Sequence, residues 1–226
     1  MNKVIQIQEL AVVVVARNHN PTILNPDFLK HNGIVSPDWE LARPPLCTEP
    51  VAEVRYKNGI NIVAQLQKLI FSQTLADKSL GEAQVPEIMV KYIETLPHVD
   101  YRAAGINVVG HVPADTEEEA QGYILDNLIA QGPWRTFDDQ QPNVSVSFSY
   151  PIQEGRLNIT IEKALLPLSD QKHLPVVVFR SNFHREIAEG ISREKVAKLK
   201  DVIQSWRKDA ETFRYLVEGT FLSSEV

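Results

Sequence analysis

Residues 51–75, VAEVRYKNGINIVAQLQKLIFSQTL, carry the pattern from which the fold of this chain can be worked out. Apolar residues alternate with polar or charged ones on both sides of Asn58-Gly59: Val54 and Tyr56 before it, and Ile60, Ile62, Ala64 and Leu66 after it. A period of two is typical of strands that bury one face. The stretch therefore predicts an antiparallel β-hairpin.

The parity of these apolar residues sets the length of the loop. A two-residue type I′ loop at Asn58-Gly59 would place the apolar residues of the two strands on opposite faces of the sheet. A loop with an odd number of residues places them on the same face. We therefore predict a three-residue loop, residues 57–59, with Gly59 in the left-handed region and Tyr56 opposite Ile60.

A second hairpin is predicted at residues 144–162, VSVSFSYPIQEGRLNITIE, and it has the other parity. Its apolar residues are even-numbered before the turn and odd-numbered after it: Val144, Val146, Phe148, Tyr150 and Ile152, then Leu157, Ile159 and Ile161. The turn must then hold an even number of residues, either Glu154-Gly155 or residues 153–156. Pro151 cannot donate to a ladder, so it predicts that this strand lies at an edge of the sheet.

The remaining segments complete a mixed pattern of helices and strands. Residues 10–16, LAVVVVA, are apolar on both parities, which predicts a strand covered on both faces. Helical periodicity occurs at 85–96, 115–131 and 192–217, and further strands are predicted at 101–112 and 176–179. Residues 17–50 are rich in proline and predict a long irregular loop, which is either functional or docked by its own side chains.

The order of these elements predicts an α+β fold with a mainly antiparallel sheet and helices covering one side. We expect one domain over residues 1–226. Its two halves, about 1–132 and 133–226, each contain a hairpin, a strand and a helix, and Ile60-Asn61-Ile62 is echoed by Leu157-Asn158-Ile159. An internal duplication is our hypothesis for this likeness.

Composition narrows the classes of partner. A formal net charge of −6 and a pI near 5.6 argue against a broad nucleic-acid or anionic-membrane surface, since either needs clustered Lys and Arg. The apolar run at residues 10–16 is too short to span a bilayer and is badly flanked for a signal peptide. With Cys47 as the single cysteine, no internal disulfide can form, which agrees with a reducing compartment such as the cytoplasm.

No sequence motif for catalysis or cofactor binding occurs in the chain. The P-loop, G-x-G-x-x-G, H-E-x-x-H, G-x-S-x-G and C-x-x-C patterns are all missing. The six histidines share no metal-like spacing with one another or with Cys47. We therefore predict no catalytic residue, no metal ligand and no cofactor.

The strongest constellation of polar groups is RSNFHRE, residues 180–186. If this segment is extended, Arg180, Asn182 and His184 share a face and offer a cation, an amide and an imidazole to an anionic ligand. The alternative interpretation is that these groups cap the following helix and brace the loop.

Two segments, PPLCTEPVAEVRY before the first hairpin and FRSNFHREI before the terminal helix, resemble sporadically distributed bacterial proteins with no assigned function. The resemblance spans most of the chain and implies a bacterial cytosolic α+β protein. It carries no catalytic motif. We therefore expect a non-enzymatic, soluble binding or assembly protein with a protein partner or a second copy of itself. The alternative is an enzyme or small anionic-ligand binder that uses residues 180–186.

Overall fold

The computed structural model describes residues 4–75, 78–168 and 172–223, and its nine strands form one sheet. The strands are β1 (Gln6–Arg17), β2 (Leu46–Cys47), β3 (Val51–Arg55), β4 (Ile60–Gln65), β5 (Lys68–Thr74), β6 (Asp100–Pro113), β7 (Ser145–Ile152), β8 (Gly155–Pro167) and β9 (His173–Glu186). Their order is β2-β3-β4-β5-β1-β6-β9-β8-β7, and all neighbours are antiparallel. The predicted α+β class with an antiparallel sheet is confirmed.

Strand β1 lies in the interior of the sheet, between β5 and β6. Residues Leu10 to Val14 are all buried, as the continuous apolar run predicts, but helices cover only the face of Leu10, Val12 and Val14 and not the face of Ala11 and Val13. The meander β3-β4-β5 returns to β1 on one side, and the meander β7-β8-β9 returns to β6 on the other. Strand β7 is an edge strand, as Pro151 predicts.

The helices pack on one face of this sheet. They are α1 (Pro26–His31), α2 (Val85–Thr95), α3 (Glu117–Leu128), α4 (Ser192–Gln204) and α5 (Trp206–Leu216). Tyr92 of α2 meets Phe71 edge-on, with ring centroids 5.3 Å apart, and Tyr123 of α3 meets Phe179 at 6.5 Å. The single long helix predicted at residues 192–217 is two helices in the structure. The first, α4, ends at Gln204, and α5 begins at Trp206.

The first hairpin has the predicted three-residue loop. The Tyr56 N–H donates to the Ile60 carbonyl at 2.8 Å, and both side chains are buried on the helix-covered face. Gly59 has a φ of +90°, a left-handed value that glycine adopts without a steric penalty. The parity argument is confirmed here.

The stretch that follows this hairpin was predicted incorrectly. Residues 51–75 form three strands, because Gln65 of β4 pairs with Lys68 of β5 across a two-residue turn. Leu66 lies in that turn with 53% of its surface exposed, whereas we expected it to be a buried strand residue. The turn contains no Gly, Pro, Asn or Asp, so the sequence carries no turn signal there.

The second hairpin has the predicted even loop, but its position differs. Ile152 pairs with Gly155, so the loop is Gln153-Glu154, and Glu154 has a φ of +61°. Gly155 serves another purpose, because a Cβ at that position would lie 2.1 Å from the carbonyl oxygen of His184 on β9. The glycine permits close approach of two backbones and is not the turn residue.

Residues 17–50 are docked against the sheet. Leu24 and Leu29 are fully buried in the core. Beyond β2, the Ala42 N–H donates to the Arg55 carbonyl at 2.8 Å, and the Lys57 N–H donates to the Glu40 carbonyl at 2.9 Å. This segment therefore covers the outer edge of β3.

Candidate functional site on the uncovered sheet face

The side chains that point away from the helices form what we call the uncovered face. Central members of this face are Ala11, Val13, Asn61, Val63, Ile70, Ser72, Gly105, Asn107, Val109, Arg156, Asn158, Thr160, Arg180, Asn182 and His184. Most of them are half-buried or exposed, whereas their neighbours of the other parity are buried beneath the helices. No helix packs over this face in the part of the chain that the structure describes.

Arg180, Asn182 and His184 lie within β9 and point toward the uncovered face. The backbone of this segment is extended, which is the condition under which the three side chains share a face. The intervening residues Ser181 and Phe183 are buried toward the helices. The three polar groups lie within β9, and the helix that follows has Ile191 at its N-cap with no side-chain hydrogen bond, so they do not cap it.

The three side chains do not converge on a single cleft. Asn182 donates through Nδ2 to Asn107 Oδ1 at 2.5 Å and lies over Gly105, where a Cβ would be 2.9 Å from that nitrogen. Arg180 and His184 line two different depressions. Because residues four apart on a strand are about 13 Å apart, one small molecule cannot contact both.

The depression beside Arg180 has a volume of about 240 Å³. Its polar lining includes Gln8, Glu9, Thr74 and His111, and its apolar lining includes Val109, Leu166 and Val178. The Arg180 guanidinium donates through Nε to Glu162 Oε1 at 2.9 Å. Its two terminal nitrogens have no partner within the described residues, so their edge is free to bind an anion.

Two titratable groups in this depression have shifted pKa values. Burial raises the pKa of the Glu9 carboxyl, and the nearby Arg180 guanidinium offsets part of that rise. Burial lowers the pKa of His111, which is only 4% exposed and has no hydrogen-bond partner for Nδ1 among residues 4–75, 78–168 and 172–223. The depression thus combines a free guanidinium edge, a neutral imidazole and a carboxylate whose charge is costly.

Sequence reasoning missed Glu9 and His111 as site residues. They lie 102 positions apart and meet through the pairing of β1 with β6, where a register shift occurs between Ile7 and Glu9. A bulge of this kind re-aims side chains, and nothing in the local sequence marks it. Only the strand order, which puts β1 beside β6 and β6 beside β9, joins these residues to Arg180.

The depression beside His184 is larger, about 780 Å³, and Arg102, one of the two cations in its lining, is neutralised within the protein. Arg102 donates to Asp100 Oδ2 from Nε at 2.9 Å and also pairs with Glu189. The buried Lys195 donates to Asp100 Oδ1 at 2.8 Å, and this hydrogen bond is the main reason that the pKa of Asp100 is lowered. Arg17, the other cation in its lining, is exposed and makes no ion pair among the described residues, so this depression also keeps a cation that an anionic ligand could contact.

The described ranges contain neither a cluster of metal-ligating side chains nor a membrane-spanning helix. No three or more His, Cys, Asp or Glu side chains there are grouped so that they could hold a metal ion. No helix among them is both long and apolar enough to cross a membrane. No protein-family model matches this chain, and no curated protein matches it.

Proposed function

We propose that this protein is a non-enzymatic binding protein that takes a small anionic ligand at Arg180 on the uncovered face. The observation that carries the proposal is the free edge of the Arg180 guanidinium in a depression walled by Val109, Val178 and Leu166. A guanidinium edge binds a carboxylate or phosphate through two parallel hydrogen bonds. The Arg180 side chain is 52% exposed, so the apolar wall shields one side of such a pair from water and leaves the other solvated.

Side-chain NMR of Arg180 and His111 during titration with acetate, lactate or inorganic phosphate tests this proposal. We expect saturable shifts with at least one probe in the millimolar range, as is usual for ligands of a few atoms. Arg180→Gln should weaken that binding by about tenfold or more, because a charge-assisted bond contributes about 1.5–3 kcal/mol.

The matched control is Arg156→Gln, which removes the same charge from the same face but outside this depression. It should leave the affinity nearly unchanged. Equal losses in the two variants would show that the probes respond only to overall charge. The absence of any saturable shift with all three probes would refute the proposal.

A second candidate function is an enzyme that uses the same depression. It is favoured by the opposite pKa shifts of Glu9 and His111, since groups shifted toward neutrality are suited to general acid–base catalysis. NMR of a bound probe separates the two functions, because a binding protein returns the probe unchanged. Turnover of a probe that is lost in both Glu9→Gln and His111→Gln would favour the enzyme.

We also infer that the sheet derives from an internal duplication. Outward from the centre, the strand order is β1-β5-β4-β3 on one side and β6-β9-β8-β7 on the other, and a helix follows each meander. This order supports a division between Thr95 and Asp100, earlier than the one near residue 132 that the sequence suggested. Superposition of residues 6–95 on residues 100–216 tests the inference, and a poor fit of the two meanders would end it.

The resemblance to bacterial proteins and the single Cys47 support a bacterial, cytoplasmic setting as part of the proposal. Cys47 is an exposed free thiol, and a reducing compartment keeps such a group from oxidising. Immunolocalisation of the tagged protein in its source cells is the direct measurement.

A further inference from the structure

The two outer edges of the sheet differ in how they are protected. At one end, β2 and the backbone hydrogen bonds made by Glu40 and Ala42 cover the edge of β3 and the loop that follows it. At the other end, β7 pairs with β8 alone, and no described residue bonds to its outer side. An uncovered edge presents unpaired N–H and C=O groups that can pair with another chain.

The register of the second hairpin tells which backbone groups point outward. Ile152 and Gly155 close a two-residue loop, and such a closing pair is hydrogen-bonded in both directions. The next residue, Pro151, therefore has its nitrogen on the outer side, as its missing N–H requires. By alternation, Ser145, Ser147 and Ser149 direct their N–H and C=O groups away from β8.

The side chains of β7 leave this edge open. Its eight residues, SVSFSYPI, include no charge, although lysine is the usual device that prevents edge pairing. The hydroxyl of Ser147 bonds to Thr160 at 2.9 Å and that of Ser149 bonds to Asn158 at 2.8 Å, so both are held toward β8. Only Pro151, at one end of the strand, restricts pairing.

The helix side of β7 adds apolar surface at the same edge. Val146, Phe148, Tyr150 and Ile152 are half-buried, because each has a neighbouring strand on one side only. Phe148 packs against Phe221 with ring centroids 5.2 Å apart, so its ring position is fixed by the core. A strand added beside β7 would bury the exposed parts of this row.

We propose that β7 pairs with β7 of a second copy of this chain, in antiparallel orientation, and forms a sheet continuous across two protomers. When this uncharged strand pairs with its own copy, no like charges lie directly opposite each other. Pairing across a twofold axis satisfies both uncovered edges at once and closes the assembly. At the other end of the sheet the outermost strand, β2, is only two residues long and offers no comparable edge, so we expect the assembly to stop at two.

Sedimentation velocity over a concentration series tests the proposal. The unmodified chain should be a dimer at micromolar concentration, and Ser147→Pro should be a monomer, because proline removes an outward N–H and blocks the edge with its ring. Ser147→Thr is the control, because it keeps that N–H and favours strand structure, and it should remain a dimer.

Hydrogen exchange of the unmodified chain gives a second measurement that does not depend on a folded variant. Exchange of the Ser147 amide should slow as concentration rises, whereas in a monomer this outward N–H exchanges freely. A chain that stays monomeric up to about 100 µM, where even weak dimers form, would overturn the proposal. A folded Ser147→Pro variant that dimerises like the unmodified chain would do the same. Ligand binding at Arg180 is independent of these results.

Discussion

Arg185 on β9 and Asp209 on α5 form a two-point ion pair, in which both terminal guanidinium nitrogens donate to the two carboxylate oxygens at 2.7 Å. The Asp209 side chain is only 3% exposed and that of Arg185 is 14% exposed. Arg185 points toward the helices, unlike its neighbour His184. The pair therefore fixes α5 against the sheet.

Asp209→Ala should destabilise the fold by about 3–5 kcal/mol, because it leaves the Arg185 guanidinium buried without its partner. Denaturant unfolding followed by tryptophan fluorescence measures this change. The double variant Asp209→Ala with Arg185→Met should recover much of the loss, since no buried charge remains. If Asp209→Ala alone costs less than about 1 kcal/mol, the pair is solvated and does not hold α5.

Gly155→Ala should destabilise the second hairpin strongly, by more than about 2 kcal/mol, because the new Cβ meets the His184 carbonyl at 2.1 Å. Glu154→Gly, one residue earlier, should be close to neutral. It relieves a φ of +61° but loses the exposed pair with Lys198. Thermal unfolding of the two variants provides the comparison, and the reverse ranking would mean that Gly155 is the turn residue after all.

Ile62 and Val63 are adjacent on β4 and point to opposite faces. Substitutions at the two positions therefore compare the helix-covered face with the uncovered face. Ile62→Ala should cost about 2–5 kcal/mol, because this side chain is fully buried beneath the helices. Val63→Ala should cost about 1 kcal/mol or less, because the half-exposed valine lies on the uncovered face. Equal costs in chemical denaturation would show that something shields both faces.

Stability should fall as the pH drops below about 6.5, because burial lowers the folded-state pKa of His19 and of His111 below that unfolded value. Their contribution is complete above 6.5 and is lost as the pH falls through the folded-state pKa. Each histidine adds at most about 1.4 kcal/mol per pH unit. Glu9 has the opposite sign, because its raised pKa makes the fold gain stability as its carboxyl becomes protonated.

His19→Gln isolates the first of these contributions. His19 Nε2 lies 2.9 Å from the Tyr92 hydroxyl, and a glutamine amide can keep that hydrogen bond without titrating near neutral pH. Urea unfolding at pH 7.5 and 5.5 should show a smaller difference in this variant than in the unmodified chain. His173→Gln, at an exposed position, is the control and should leave the difference unchanged.

Local alternation predicted the two hairpins and the face that their strands bury, but it did not predict β2 or the separate strand β5. The parity of Tyr56 and Ile60 set the length of the first loop, and Pro151 identified an edge strand. The prediction was wrong at Leu66, because that turn contains no residue typical of turns. It was also wrong at Gly155, because this glycine is required by a contact with another strand and not by the turn. In both cases the contact that sets the structure is made with another strand: β4 pairs with β5 across the turn at Leu66, and Gly155 packs against His184 of β9.

Alternate side chains on the strands bury one surface, and this could be read from the residues alone because the two-residue period of a strand is local. The sequence also showed that Arg180, Asn182 and His184 share a face if extended. The strand order had to come from the folded chain: β1 lies beside β6 and β6 beside β9, which brings Glu9 and His111 to Arg180 and leaves β7 at an open edge. Strand order depends on contacts between residues far apart in the chain, and the periodicity within one segment does not depend on those contacts.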